Sequence, residues 1–142
     1  MVIGIIGENC SGKSTLAGIV QNAIGAEIIT GRDYLRMGKT EGEARKLFRE
    51  KLKNAVDGEN IIYVISESDH LELLPEGAVR ILVSAELETI KERFKARMRG
   101  NLPEPVVRML EKKHGMFDGG DYDYRFDSAK DDAAKLCAKL KR

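Results

Sequence analysis

The sequence predicts an α/β fold: a three-layer, doubly wound parallel sheet of about five strands. Three observations predict it. Short apolar runs alternate with longer segments of helical periodicity along all 142 residues. The run Ile61-Ile62-Tyr63-Val64-Ile65 is continuously apolar, which suits a strand covered on both faces. The first apolar run passes through a glycine loop straight into a helix, and right-handed crossovers then place helices on both sides of the sheet.

The first strand is Val2–Ile6. A helix follows from about Lys13, with Leu16, Ile19, Val20, Ala23 and Ile24 on one face and Gly25 as its stop. The second strand is Glu27–Thr30, and residues 31–39 read as a charged loop. A long helix begins at Thr40, where Thr40-x-x-Glu43 is a capping box, and its apolar stripe is Ala44, Leu47, Phe48, Leu52, Ala55 and Val56. Asp57-Gly58-Glu59-Asn60 ends it, and the third strand is Ile61–Ile65.

A polar crossover, residues 66–77, leads to a fourth strand at 79–83. Ser84 is placed to cap the next helix, which buries Leu87, Ile90, Phe94 and Met98 and ends in Arg93, Lys95, Arg97 and Arg99. Pro105 opens another helix carrying Val106, Val107, Leu110, His114 and Phe117. Residues 115–123 are a loop, 124–126 a short strand, and Ser128-x-x-Asp131 resembles a cap. The final helix buries Ala129, Ala133, Leu136, Cys137 and Leu140.

Composition narrows the function. The length suits one domain with a real core. A net charge of +1 gives no global field to recruit nucleic acid or a membrane. Cys10 and Cys137 have neither metal nor disulfide spacing, which fits a reducing compartment. No apolar run approaches the ~18 residues of a membrane span, and residues 1–6 are too short for a secretory signal. A cytoplasmic protein, monomeric or a small homo-oligomer, is expected.

The sequence carries one specific motif, Gly7-Glu8-Asn9-Cys10-Ser11-Gly12-Lys13-Ser14, which is G-x-x-x-x-G-K-[ST] between strand and helix. Gly7 and Gly12 let successive amides curl around one concavity. The helix N-terminus behind it favours an anion. Lys13 adds a mobile charge for β- and γ-phosphates, and Ser14 a hydroxyl for Mg²⁺. Ligands in such sheets bind beyond the carboxyl ends of the strands. That edge gathers further candidates. Arg93 and Arg97 lie one turn apart, with Arg99 at the helix end; as phosphate forks they compete with a reading as a solvated face partnered by Glu88 and Glu92. Arg32 and Arg36 flank Asp33, which is placed to orient an acceptor hydroxyl or a metal-bound water. A metal-side acid is expected after the third strand, Glu67 first and Asp69 second. His114, Asp118, Asp121 and Asp123 read as helix edge and loop rather than a metal site.

These residues resemble the small P-loop kinases acting on nucleoside monophosphates, guanylate kinase above all. The stretch from Gly7 to Thr15, including Asn9, Cys10 and Ser11, is similar to that family's ATP-phosphate loop. Thr30-Gly31-Arg32-Asp33-Tyr34-Leu35-Arg36-Met37-Gly38 looks like its T-T-R-x-x-R-x-G, although Arg32 and Arg36 stand one residue further apart. Tyr122-Asp123-Tyr124 through Asp132-Ala133-Ala134 looks like its C-terminal Y-D-Y and N-D-D-L segment.

The resemblance implies one kinase domain, residues 1–142, of P-loop NTPase type. It implies an acceptor segment at 31–58 and a lid at 99–121. Ser128, Ala129 and Lys130 would border the adenine, and the lid arginines would contact ATP. The expected activity is transfer of the γ-phosphate of ATP, with Mg²⁺, to a nucleoside monophosphate. Two alternatives stand beside it: a kinase of a small metabolite, similar to shikimate or gluconate kinases, and a nucleotide-binding switch without transfer activity.

Overall fold

A computed structural model describes residues 1–141. Five strands, β1 (Val2–Ile6), β2 (Glu27–Thr30), β3 (Ile61–Ile65), β4 (Val79–Ser84) and β5 (Tyr124–Asp127), form one parallel sheet in the order β2-β3-β1-β4-β5. The helices are α1 (Lys13–Ile24), α2 (Glu41–Ala55), α3 (Leu87–Arg97), α4 (Glu104–Lys113) and α5 (Ala133–Leu140). No helix among the described residues is long and apolar enough to cross a membrane.

The pleat sorts the strands into two cores. Ile3, Ile5, Ile62, Val64, Ile81 and Val83 face α1 and α5. Val2, Ile6, Ile61, Tyr63, Ile65 and Leu82 face α2 and the crossover residues Leu73 and Leu74. Alternation of side chains along a strand makes this division automatic once both faces are covered. On the α2 side Phe48 stacks on Tyr34 at 5.1 Å and meets Tyr63 edge-on at 4.8 Å. Such ring pairs contribute about 0.5–1.5 kcal/mol each beyond simple burial. A third, smaller cluster joins α3 and α4 through Ile90 and Leu110 to Cys10 and Ala85. That pair of helices therefore rests on the glycine loop and not on the sheet.

Several local expectations are corrected. The loop after β2 contains a 3-10 turn, Asp33–Met37, and the crossover after β3 another, Ser68–Leu73. Ser84 ends β4 and does not cap α3, whose preceding residue Glu86 makes no side-chain cap bond. Ser84 instead gives its carbonyl to the amide of Ser128 at 2.9 Å. The cap of α5 is Asp132, which accepts from the amide of Ala134 at 2.9 Å, while Asp131 accepts from the amide of Asp127 at 2.7 Å. Ala129 is consequently exposed in the turn and not buried in the helix. Ile19 and Leu47, assigned to buried stripes, are 41% and 38% exposed. The Thr40 cap is as expected, its hydroxyl accepting from the amide of Glu43 at 3.1 Å.

Candidate functional site

The glycine loop turns between β1 and α1 at the centre of the carboxyl edge. Gly7 donates its amide to the carbonyl of Ile65 at 3.1 Å, fixing the loop's start to β3. A side chain at Gly7 would place its Cβ 2.5 Å from the carbonyl oxygen of Val83 and 2.6 Å from Ser11 Oγ. Gly12 has φ of 106°, and a Cβ there would meet that of Ser128 at 2.7 Å. Cys10 also takes a left-handed conformation, with φ of 63°. A non-glycine residue held there stores strain of roughly 1–3 kcal/mol, the kind of cost tolerated where a ligand site demands it. The helix begins at Lys13, so the amides of its first turn have no carbonyl of their own helix to bond. They and the helix dipole offer an anion a ready partner. Ser11 Oγ is fully enclosed behind the loop and has no hydrogen-bond partner among the described residues.

Lys13 is only 6% exposed, and its Nζ donates to the carbonyl of Glu8 at 2.7 Å. Its pKa is lowered to about 8: burial is the main cause and Arg97 adds to it, while Cys10 and Glu8 oppose the shift. A polyphosphate in the cradle would supply the missing countercharge.

Arg93 is tied down. Its Nη1 donates to the carbonyl of Cys10 and to Ser128 Oγ, both at 3.0 Å, and Ser128 Oγ donates to the carbonyl of Ser84 at 3.2 Å. One guanidinium thus joins the glycine loop, the end of β4 and the turn after β5. Arg97, one turn further along α3, is exposed and lines the same cavity. Arg99 has φ of 59° in the turn beyond α3 and does not line it. The cavity has a volume of about 550 Å³. Asn9, Cys10, Gly12, Lys13, Ser14 and Thr15 form its floor, and Phe126, Ser128, Asp131 and Ala133 one wall. Ala129 and Lys130 lie outside it; Lys130 pairs with Glu86 at 3.6 Å.

The opposite wall is Thr30, Val64 and Ser66. The charged residues near it stay outside. Arg32, Asp33, Arg36, Glu67 and Asp69 are exposed, and Arg36 pairs with Asp33 at 3.4 Å. Burial, and after it Tyr34, raise the pKa of the Tyr63 hydroxyl above the ordinary tyrosine value. That hydroxyl donates to the carbonyl of Gly31 at 2.7 Å, joining β3 to the turn after β2.

Glu8 was not singled out from the sequence, yet both its carboxylate oxygens are engaged. Oε1 meets His114 Nδ1 at 3.1 Å and Oε2 accepts the amide of Gly115 at 3.1 Å. The glycine loop thereby holds the C-terminal end of α4. Nothing local signals this contact, because its partners are 106 and 107 residues away.

The geometry fits a nucleotide's phosphates: the cradle closes if either glycine gains a Cβ, and it holds a desolvated lysine and an exposed arginine. Ser14, exposed in the first turn of α1, is the hydroxyl that would hold Mg²⁺. No family model matches the chain, and no curated protein matches it. Solved structures do. An uncharacterized protein from Eubacterium ventriosum has a TM-score of 0.71 at 15% identity, over 99% of this chain and 96% of its own. Shikimate kinase from Bacteroides thetaiotaomicron has a TM-score of 0.61 at 18% identity, over 99% and 96%. A gluconokinase from Sinorhizobium meliloti has a TM-score of 0.60 at 15% identity, over 98% and 92%. The chain is similar to these proteins along almost its whole length, and shares with them a parallel five-stranded α/β fold.

Proposed function

We propose that the chain is an ATP-dependent kinase acting on a hydroxyl of a small non-nucleotide metabolite. The observation that carries the reading is the convergence of the Gly7–Ser14 cradle, buried Lys13 and Arg97 on one cavity at the carboxyl edge. Phosphoryl transfer demands little else than positioning and charge stabilisation, and this set offers both. Lys13 and Arg97 face the charge that spreads over the transferring group. Arg93 holds the loop and the base-side wall in register. Arg99 stands at the lid hinge. Asp33, which stands outside the cavity lining and pairs with Arg36, is proposed to orient the acceptor's hydroxyl. Bound Mg²⁺, held by Ser14, would neutralise phosphate charge.

A nucleoside monophosphate acceptor, the guanylate kinase pattern, has less support. Arg32 and Arg36, like Asp33, stand outside the cavity lining, and Arg36 pairs with Asp33 at 3.4 Å. The helix α2 occupies 15 of the residues where a guanylate kinase would carry its β-rich insert. The similar structures named as shikimate kinase and gluconokinase support the metabolite reading.

An acceptor panel tests it: ADP formation from ATP·Mg²⁺ with shikimate, gluconate, other polyhydroxy acids, sugars, GMP, AMP, CMP, UMP and dTMP. A metabolite should raise the rate well above that with ATP alone. Stimulation by a nucleotide only would replace the acceptor, and no stimulation at all would favour a nucleotide-binding switch.

A further inference from the structure

P-loop sites commonly complete their magnesium site with an aspartate at the end of a neighbouring strand. The cavity wall here has none. After β3 the lining residue is Ser66, and at the end of β2 it is Thr30; Ser14 completes that side. Thr30 pairs with Val64 in the β2–β3 register, and Ser66 follows directly on Ile65, so both stand at the carboxyl ends of adjacent strands. The one carboxylate in the lining is Asp131. It follows β5, three strand positions from β3, which is about 14 Å at ordinary strand spacing. Its Oδ2 already accepts the amide of Asp127. Among the described residues no three His, Cys, Asp or Glu side chains gather as a metal cluster. Against this stand three cations on the lining: Lys13, Arg93 and Arg97.

We infer that the protein's contribution to the cation is made by hydroxyls alone, Ser14, Thr30 and Ser66, so that magnesium arrives on the nucleotide and adds little to nucleotide affinity. The inference rests on the kinase reading and deepens it. A hard cation needs anionic or strongly dipolar oxygen to leave water. Neutral hydroxyls offer it weak ligation, or hydrogen bonds to the waters it keeps. The cationic cavity, meanwhile, already attracts the free tetra-anion of ATP. Affinity for ATP should therefore depend on Lys13 and the arginines far more than on the metal.

Calorimetry of the whole chain with ATP, in EDTA and in millimolar Mg²⁺, tests this. The two dissociation constants should differ by less than about threefold. Mn²⁺ alone, followed by its electron paramagnetic resonance signal, should show no submillimolar site. Ser66→Asp and, separately, Thr30→Asp should weaken ATP binding in EDTA by about tenfold and make it recover with Mg²⁺. Thr30 is exposed on an edge strand, so its variant reads out even where Ser66→Asp disturbs folding. A wild-type gain of about thirtyfold or more with Mg²⁺, or tight Mn²⁺ binding abolished by Asp33→Asn or Glu67→Gln, would overturn the assignment while leaving the kinase reading intact. Absence of ATP binding under both conditions would overturn both.

Discussion

At the β1–β4–β5 end of the sheet edge, Cys10, Ser84, Arg93 and Ser128 are joined by side-chain hydrogen bonds of 3.0–3.2 Å. At the β2–β3 end, Arg32, Asp33, Arg36 and Glu67 stand exposed, and among them the side-chain bond is a 3.4 Å pair. The first region is organised by folding itself. Its strained turn at Cys10 packs against Ile90 and Leu110, its desolvated lysine bonds the carbonyl of Glu8, and the Glu8 side chain ties the loop to the end of α4. The second is polar, solvated and sparsely tied, as expected of a surface completed by what binds to it. On the proposed reading, the comparison teaches that the phosphate donor's site is built in advance and the acceptor's is not.

Removing Lys13 should break the comparison most severely. Lys13→Ala is expected to lower turnover by about a thousandfold, the scale of losing a charge aimed at the transferring group. Its thermal midpoint should hold or rise, because a lysine whose pKa is lowered to about 8 is charged at neutral pH at the expense of stability. Steady-state kinetics and a thermal scan check both halves; retained turnover would remove Lys13 from the site.

Next in size are the two arginines of α3. Arg97→Ala should reduce turnover by about ten- to a hundredfold with an unchanged thermal midpoint, since its head is exposed. Arg93→Ala should lower stability as well, by about 1–3 kcal/mol, because it strands the carbonyl of Cys10 and loosens Ser128. Equal stability of the two variants would erase the distinction drawn between them.

Glu8→Gln probes the link from the glycine loop to the end of α4. It should cost about 1 kcal/mol or less and speed amide exchange at Gly115, with a few-fold effect on turnover. The smallest effect is that of pH. Free Lys13 loses its proton as pH rises through about 8, whereas bound phosphate favours the charged form. ATP affinity should fall by a few-fold between neutral pH and about pH 9, with proton uptake on binding, measurable as a dependence of calorimetric heat on the buffer.

How much of this was legible depended on how local each cause is. The strands Val2–Ile6 and Ile61–Ile65 match their expected bounds because each is an apolar run between polar or glycine breaks, and Glu27–Thr30 because its Ile28-Ile29 pair lies between the Gly25 and Gly31 breaks. The strand–loop–helix setting of Gly7 to Ser14 was legible for the same reason. The short 3-10 turns were not, since three or four polar residues carry no periodicity. The serine caps misled because Ser84 still belongs to β4, two residues before the position preceding α3, and the Ser128 hydroxyl is taken up by Arg93 and the carbonyl of Ser84. Glu8, Thr30 and Ser66 gain their positions from strand order, which a linear pattern does not state.

The central claim is that the curled amides from Gly7 to Thr15 grip the nucleotide's phosphates. A titration of isotopically labelled protein with ATP, followed by amide chemical shifts, tests it most directly. The largest shifts should fall on Gly12, Lys13 and Ser14 and saturate at the calorimetric dissociation constant. Saturable binding that moves other amides and leaves these three in place would contradict the account.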